Sequence, residues 1–421
     1  MYTFTNTLKI GSFIAMAVGF MLLAIGFISA PSTVEEAKAY EAAHGDGHGH
    51  GGHGEATDHG GQGGGHAIAY QEEKDTHGTK DDHHAEESQH HEAKANMHHN
   101  TAEDGDTAHS DASGHHGEDH GAAHYEHLLH QLQNRPWAAL YVAAFFFFMI
   151  SLGVLAFYAI QRAAQAGWSP ILFRVMEGIT AYLVPGGIIV FVILTLSVLH
   201  MNHMFVWMDE DVVTESMMSW DWIMSLDPHW FSTLFGWYVF ASMFVSGITT
   251  IAIITIYLKS KGYLTEVNDS HIHDLAKFMF GISIFWTYLW FAQFMLIWYA
   301  NIPEEVTYYV ARFQDYKIPF FGMLVLNFIF PLLVLMNSDY KRLNWFVIMT
   351  GVIVLFGHYL DIFNMVMPAT VGDQWGLGIP EIGGILFFGG LFTFWVFTAL
   401  AKAPLQPKRN PFLEESRQFH Y

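Results

Sequence analysis

A formal net charge of −21 over 421 residues, with a pI near 5.6, would suit an acidic soluble protein, yet 52% of the residues are hydrophobic and 16% aromatic. The apolar residues are gathered into long runs and the acid into loops, which excludes an ordinary soluble fold and leaves no basic surface for a nucleic-acid partner. The sequence contains no cysteine, which excludes thiolate-ligated iron–sulfur clusters and covalently attached c-type haem in this chain.

Crossing the hydrocarbon core takes roughly 20 apolar residues. Eight runs qualify, at 8–30, 137–160, 178–200, 230–258, 276–299, 318–336, 344–366 and 382–401. The expected fold is an all-α membrane protein divided into a first transmembrane helix (1–30), a polar insertion (31–135), a seven-helix membrane core (136–402) and a tail (403–421). The first run, which follows Lys9 and ends Ile28-Ser29-Ala30-Pro31, has a signal peptide as its alternative reading. Its length and the lack of a small-x-small site before Pro31 favour a retained span.

The insertion is rich in His, Gly, Asp and Glu, and residues 41–130 hold 20 of the 27 histidines. Such a composition cannot bury enough apolar surface to offset its ordering entropy, so a disordered acidic loop is expected. Weak binding of divalent metal at His48, His50, His83 and His84 is the chemistry open to it. Near its end, Tyr125, Leu128, Leu129 and Leu132 recur at helical spacing, which predicts a short interfacial helix before Pro136 and Trp137.

Short cytoplasmic loops retain Lys and Arg. Lys9, Arg162, Arg174, Lys259, Lys261, Lys277, Lys341, Arg342, Lys402, Lys408, Arg409 and Arg417 fall on one side of the eight runs. On the other side the short loops offer Arg312 and Lys317 alone. Both termini are therefore expected in the cytoplasm of a bacterial inner membrane, with the His-rich loop in the periplasm.

Within the runs, Pro185-Gly186-Gly187, Pro331 and the pairs Gly383-Gly384 and Gly389-Gly390 read as bends and close-packing surfaces. Asp227-Pro228 reads as the cap and first residue of the fourth span, with Trp230, Trp237 and Tyr238 as an interfacial aromatic belt.

Apart from tyrosines, two ionisable residues lie away from the ends of the runs: His358 and Asp361, three apart on one face of the seventh. A carboxylate at that depth is costly unless it is paired or reaches water, so the pair is a candidate proton-path or quinone site opening outward. The alternative is a pair that satisfies itself and pins helix packing. His200, His203, Asp209 and Asp211 beyond the third run, with Glu304 and Glu305 beyond the fifth, form an acidic outer rim able to exchange protons.

Two longer motifs add a family. The stretch Phe285-Trp286-Thr287-Tyr288-Leu289-Trp290-Phe291-Ala292-Gln293, continuing to Ile302-Pro303-Glu304-Glu305, and the stretch Ser225-Leu226-Asp227-Pro228-His229-Trp230 through Gly236-Trp237-Tyr238 resemble the F subunit of bacterial alternative complex III. That complex is a quinol:cytochrome c oxidoreductase, and the likeness runs through the membrane part, about residues 136–401. It implies a fold similar to the polysulfide reductase membrane-anchor family, two four-helix bundles, and a role in assembly, proton translocation or quinone binding. Haem c and iron–sulfur clusters would then reside in partner subunits, a multihaem cytochrome and an iron–sulfur protein. A sister membrane subunit is the better-placed site of quinol oxidation, and menaquinol remains an open ligand here.

Two other classes compete. A divalent-metal transporter would suit eight spans and a His-rich loop but needs ligands on facing helices, which most runs lack. A b-haem subunit would use His200 and His358 as axial ligands.

Overall fold

The computed structural model describes residues 2–44, 115–205, 222–227, 230–406 and 410–420, all helix, turn and connecting chain without a strand. Among the described residues, eight helices are long and apolar enough to cross a membrane: Asn6–Ile28, His124–Ala163, Pro170–Val198, Phe235–Ser260, Asp269–Ala300, Lys317–Leu335, Asn344–Thr370 and Ile379–Ala401. They are the eight expected runs in the expected order, and they make the chain a multi-pass membrane protein.

The spans sort into two groups of four. In one, the first span lies along the eighth, where a Cβ on Gly383 would sit 2.8 Å from the Leu23 nitrogen and one on Gly390 2.7 Å from the Ser12 carbonyl. Gly384 meets Ala139 and Ala143 of the second span. The Ser151 hydroxyl, on the second span, donates to the Ile179 carbonyl of the third. In the other group the fourth, fifth, sixth and seventh spans pack on one another. The groups meet where Gly247 faces Gly153, with room for no side chain, since a Cβ on Gly247 would lie 2.6 Å from the Val154 nitrogen. Lipid tails are as apolar as leucine, so close backbone approach takes the place of hydrophobic burial in holding spans together. The glycines of the eighth span are packing devices, as expected.

Three local features depart from the sequence reading. The predicted interfacial helix is the start of the second span: one helix runs His115–Ala163 through Pro136. Its Leu128 and Leu132 pack on Ala37 of a helix at Val34–His44, so the two ends of the insertion are helical; residues 45–114, with His48, His50, His83 and His84, lie outside the described part. The third span breaks at Ala181–Tyr182 and restarts at Leu183, which puts Pro185 in a first helical turn where its missing N–H costs nothing. The fourth span begins at Phe235, capped by Leu234, because the chain at 230–234 is held in turns that carry Trp230 away; Pro228 and His229 lie outside the described residues. The tail is also fixed: Ser416 Oγ donates to the Trp168 carbonyl at 2.6 Å and Arg417 pairs with Glu266 at 2.9 Å.

The sixth span contains a π-helical turn at Val325–Ile329 just before Pro331. Proline cannot donate to the carbonyl four residues back, here Asn327, and a widened turn accommodates that missing bond.

Candidate functional site

The seventh span extends to Thr370, so His358 and Asp361 sit at its middle instead of near its outer end. Both are fully buried among the fourth to seventh spans. The expected outward opening is therefore not a direct one.

Asp361 is the acceptor at the centre of a polar cluster. Its Oδ2 accepts from Ser242 Oγ at 2.8 Å and from Trp286 Nε1 at 3.0 Å, and its Oδ1 accepts a short hydrogen bond from the Tyr238 hydroxyl. Tyr238 and Ser242 are four apart on the fourth span and so share a face; Trp286 reaches in from the fifth. Three donors aimed at one buried carboxylate satisfy both of its oxygens in an interior that offers no bulk water.

His358 adds a titratable ring. Its Nδ1 lies 2.9 Å from Ser242 Oγ and 3.6 Å from Asp361 Oδ2, while its Nε2 is buried without a partner. With Ser242 donating to Asp361, the consistent tautomer has Nδ1–H donating to Ser242, which leaves Nε2 as an acceptor. The result is a continuous line from Nε2 through the ring and Ser242 to Asp361 and Tyr238. The π turn presents Asn327 beside this ring, Nδ2 to Nδ1 3.5 Å, against Gly357, where any side chain would collide with Asn327.

On the side of Asp361 away from the basic end lies Arg312, assigned by sequence to a loop and here 2% exposed. It comes from the connecting helix Pro303–Gln314. Its guanidinium carbon stands 3.3 Å from the Tyr308 ring centroid, Nη1 donates to the Tyr308 carbonyl at 2.7 Å and Nε to the Asn364 carbonyl at 3.2 Å. Trp230 stacks on the other side of Tyr308 at 3.8 Å. Burial pushes the Tyr308 phenol above its ordinary value, with Arg312 pulling the other way. Arg312, Asn364, Gln293, Tyr238 and Asp361 enclose a cavity of about 10 Å³, room for a single water.

Toward the basic end, a stripe of buried hydroxyls leads from Ser242 through Ser246, Thr249 and Thr250 on the fourth span. Thr249, Ser283 on the fifth span and Thr350 on the seventh have buried hydroxyls without partners. At that end the fifth span starts at Asp269, earlier than expected, so Asp274 falls within it, buried, 3.3 Å from Lys277 Nζ and 3.8 Å from the His273 ring. Glu381 is a further buried carboxylate, in the first turn of the eighth span, held 3.1 Å from Arg135 Nε and accepting from the Gly378 N–H at 2.8 Å.

The remaining expected site residues are not brought to this cluster. His200 is exposed beyond the third span, with a left-handed φ of 55°. His203 packs its ring edge-on to His130 at 4.7 Å, beside Asn134, which bonds the His203 backbone from both ends of its amide. Glu304 and Glu305 occupy the first turn of their helix, where they complement its dipole. Asp209 and Asp211 lie outside the described residues. His200 and His358 belong to different helix groups, one exposed at an end and one enclosed at mid-span, which does not suit a pair of axial haem ligands. Among the described residues no three His, Asp or Glu side chains converge to hold a metal ion, so a transporter-like intramembrane metal site finds no support there.

Sequence reasoning missed Tyr238, Ser242, Trp286, Asn327, Arg312, Asp274 and Glu381. The recurrence of Tyr238, Ser242, Ser246 and Thr249 at helical spacing in an otherwise apolar run was the available signal for the first two. Tyr238 and Trp230, expected in an interfacial belt, are buried, whereas Trp237 is exposed as a belt residue would be. No family model matches the chain, and no curated protein matches it.

Proposed function

We propose that this chain is an integral membrane subunit of a bacterial quinol:cytochrome c oxidoreductase of the alternative complex III type, in which the Asp361–His358 cluster moves protons. In this reading both termini are cytoplasmic, and the haem c, the iron–sulfur clusters and the main quinol site reside in partner subunits. The observation that carries it is Asp361: a fully buried carboxylate at mid-span, bound by Tyr238, Ser242 and Trp286, and joined through Ser242 to a histidine whose outer nitrogen is unpartnered.

Such a group is expensive in a membrane and is kept where it serves a proton or ion pathway. A proton reaching His358 Nε2 passes to Asp361 when Nδ1 gives up its own proton through Ser242, each hydroxyl accepting one proton as it donates another. On the basic side, the buried hydroxyls and Asp274 supply stations for an approach; on the other, the single-water enclosure and Arg312 supply the exit. Arg312 and Asp361 line the same enclosure, so a proton leaving Asp361 passes to the water held there. The resemblance of the Phe285–Glu305 and Ser225–Tyr238 stretches supports the assignment to this complex.

The test is Asp361→Asn in the assembled complex reconstituted into vesicles, reading electron transfer and proton release together. Lowered turnover or proton release with an altered pH profile is expected. Unchanged electron transfer and proton release would leave the cluster a packing device.

A further inference from the structure

The cavity at the seam between the two helix groups is separate from the Asp361 cluster and has different chemistry. It encloses about 460 Å³ and is lined almost entirely by apolar side chains, among them Leu8, Phe147, Ile254, Phe392 and Phe397, with Phe356 half exposed at its rim. Along the eighth span its lining runs from Ile385 to Phe397, roughly 18 Å at about 1.5 Å per residue. That is close to the depth of one leaflet of a hydrocarbon core about 30 Å thick. The lining reaches Tyr359 at the middle of the seventh span and Ile385 beyond the middle of the eighth, and its other end is the one at which the Lys and Arg residues gather.

Two lysines adjoin lining residues at that end. Lys9 directly follows the lining residue Leu8, and Lys261 holds its ammonium 5.8 Å from the ring of the lining residue Tyr257. Both are exposed. A slot one leaflet deep, apolar throughout and basic at the interface, matches one kind of molecule in a bilayer. We infer that the cavity holds an acyl chain of a phospholipid with an anionic headgroup, its phosphate resting against Lys9 and Lys261. Basic pockets between spans are known devices for such headgroups. The site joins the two helix groups by filling the seam between them, so the lipid acts as a structural ligand.

The competing occupant is an isoprenoid quinone, whose ring carbonyl at mid-depth would take a hydrogen bond from the partnerless Tyr359 hydroxyl. The test is native mass spectrometry of the full chain in detergent, with phosphatidylglycerol, phosphatidylcholine or a menaquinone added. One phosphatidylglycerol adduct is expected to persist, undisplaced by menaquinone. Thr393→Trp, which fills the cavity, should abolish it, and Tyr359→Phe should leave it unchanged. Lys9→Gln with Lys261→Gln should cut the preference for phosphatidylglycerol over phosphatidylcholine by about fivefold per lysine. The inference is overturned if menaquinone displaces the phospholipid, if Tyr359→Phe loses the adduct, or if the adduct survives Thr393→Trp in protein with normal elution and unfolding temperature. If Thr393→Trp does not fold, the lysine variant decides: an unchanged preference overturns the inference.

Discussion

Asp361→Asn and Asp361→Leu separate proton transfer from packing because the cluster treats them differently. Asparagine keeps one oxygen, which can face Trp286 and Ser242, both donors at 3.0 and 2.8 Å. Its NH₂ then faces Tyr238, whose hydroxyl can turn to accept, whereas the indole N–H cannot. Trp286 and Ser242 stay satisfied and the Tyr238 hydrogen alone loses its acceptor, so the stability change should be about 1 kcal/mol. Leucine removes every acceptor and strands three buried donors at about 1–3 kcal/mol each. Hydrogen bonds in membranes average nearer 0.6 kcal/mol because the unfolded chain in lipid also finds partners, so the low end, about 3 kcal/mol in all, is the better figure. Detergent unfolding of both variants checks this ordering. In vesicles, Asp361→Asn should lower proton release by about a hundredfold or more, the scale on which a proton-transferring group is missed, and should alter the pH dependence between about pH 6 and about pH 8. A normal Asn variant across that range, with a destabilised Leu variant, would refute proton transfer and establish a self-satisfying structural pair.

Three further outcomes test the frame around the cluster. Gly247→Ala should cost about 1–3 kcal/mol in an unfolding titration by pushing the two helix groups apart, whereas Gly281→Ala, with open space around it, should cost nothing; equal effects would mean that the seam is not closely packed. Glu381→Leu strands Arg135 and opens the cap at Gly378, and should lower stability by about 3 kcal/mol, the low end for a broken buried pair because Arg135 is 21% exposed; an unchanged midpoint would show that the pair does not hold the eighth span. Because the sequence has no cysteine, single introduced thiols report topology cleanly: an impermeant maleimide on spheroplasts should label Thr101→Cys and spare Gln418→Cys, and the opposite pattern would reverse the orientation.

Span number and order were legible because twenty apolar residues in a row have few other uses. The ends of the spans were less so. Asp274 and Glu381 were taken for loop residues since charge alone was used to end a run; the Lys277 partner of Asp274 is one helical turn away, whereas Arg135, the partner of Glu381, comes from a distant segment. His358 and Asp361 could be found because a charge in an apolar run is conspicuous, but their partners could not. Serine, tryptophan and tyrosine are ordinary in a membrane helix, and which of them turn toward Asp361 is decided by how the fourth and fifth helices rotate against the seventh. Arg312 is the clearest case: nothing near it in sequence announces burial, and its solvation is replaced by a ring face and two carbonyls that only the fold assembles.

The π turn at Val325–Ile329 makes the sixth helix intolerant of a change most exposed loops would ignore. Such a turn is an α-helix with one residue too many. Losing any one residue there would restore regular winding and rotate everything on one side of it by about 100° relative to the other. Either Asn327 would leave His358, or Phe320 and Met323 would leave the enclosure around Arg312. The length of this segment, more than the identity of its side chains, keeps the two halves of the cluster in register.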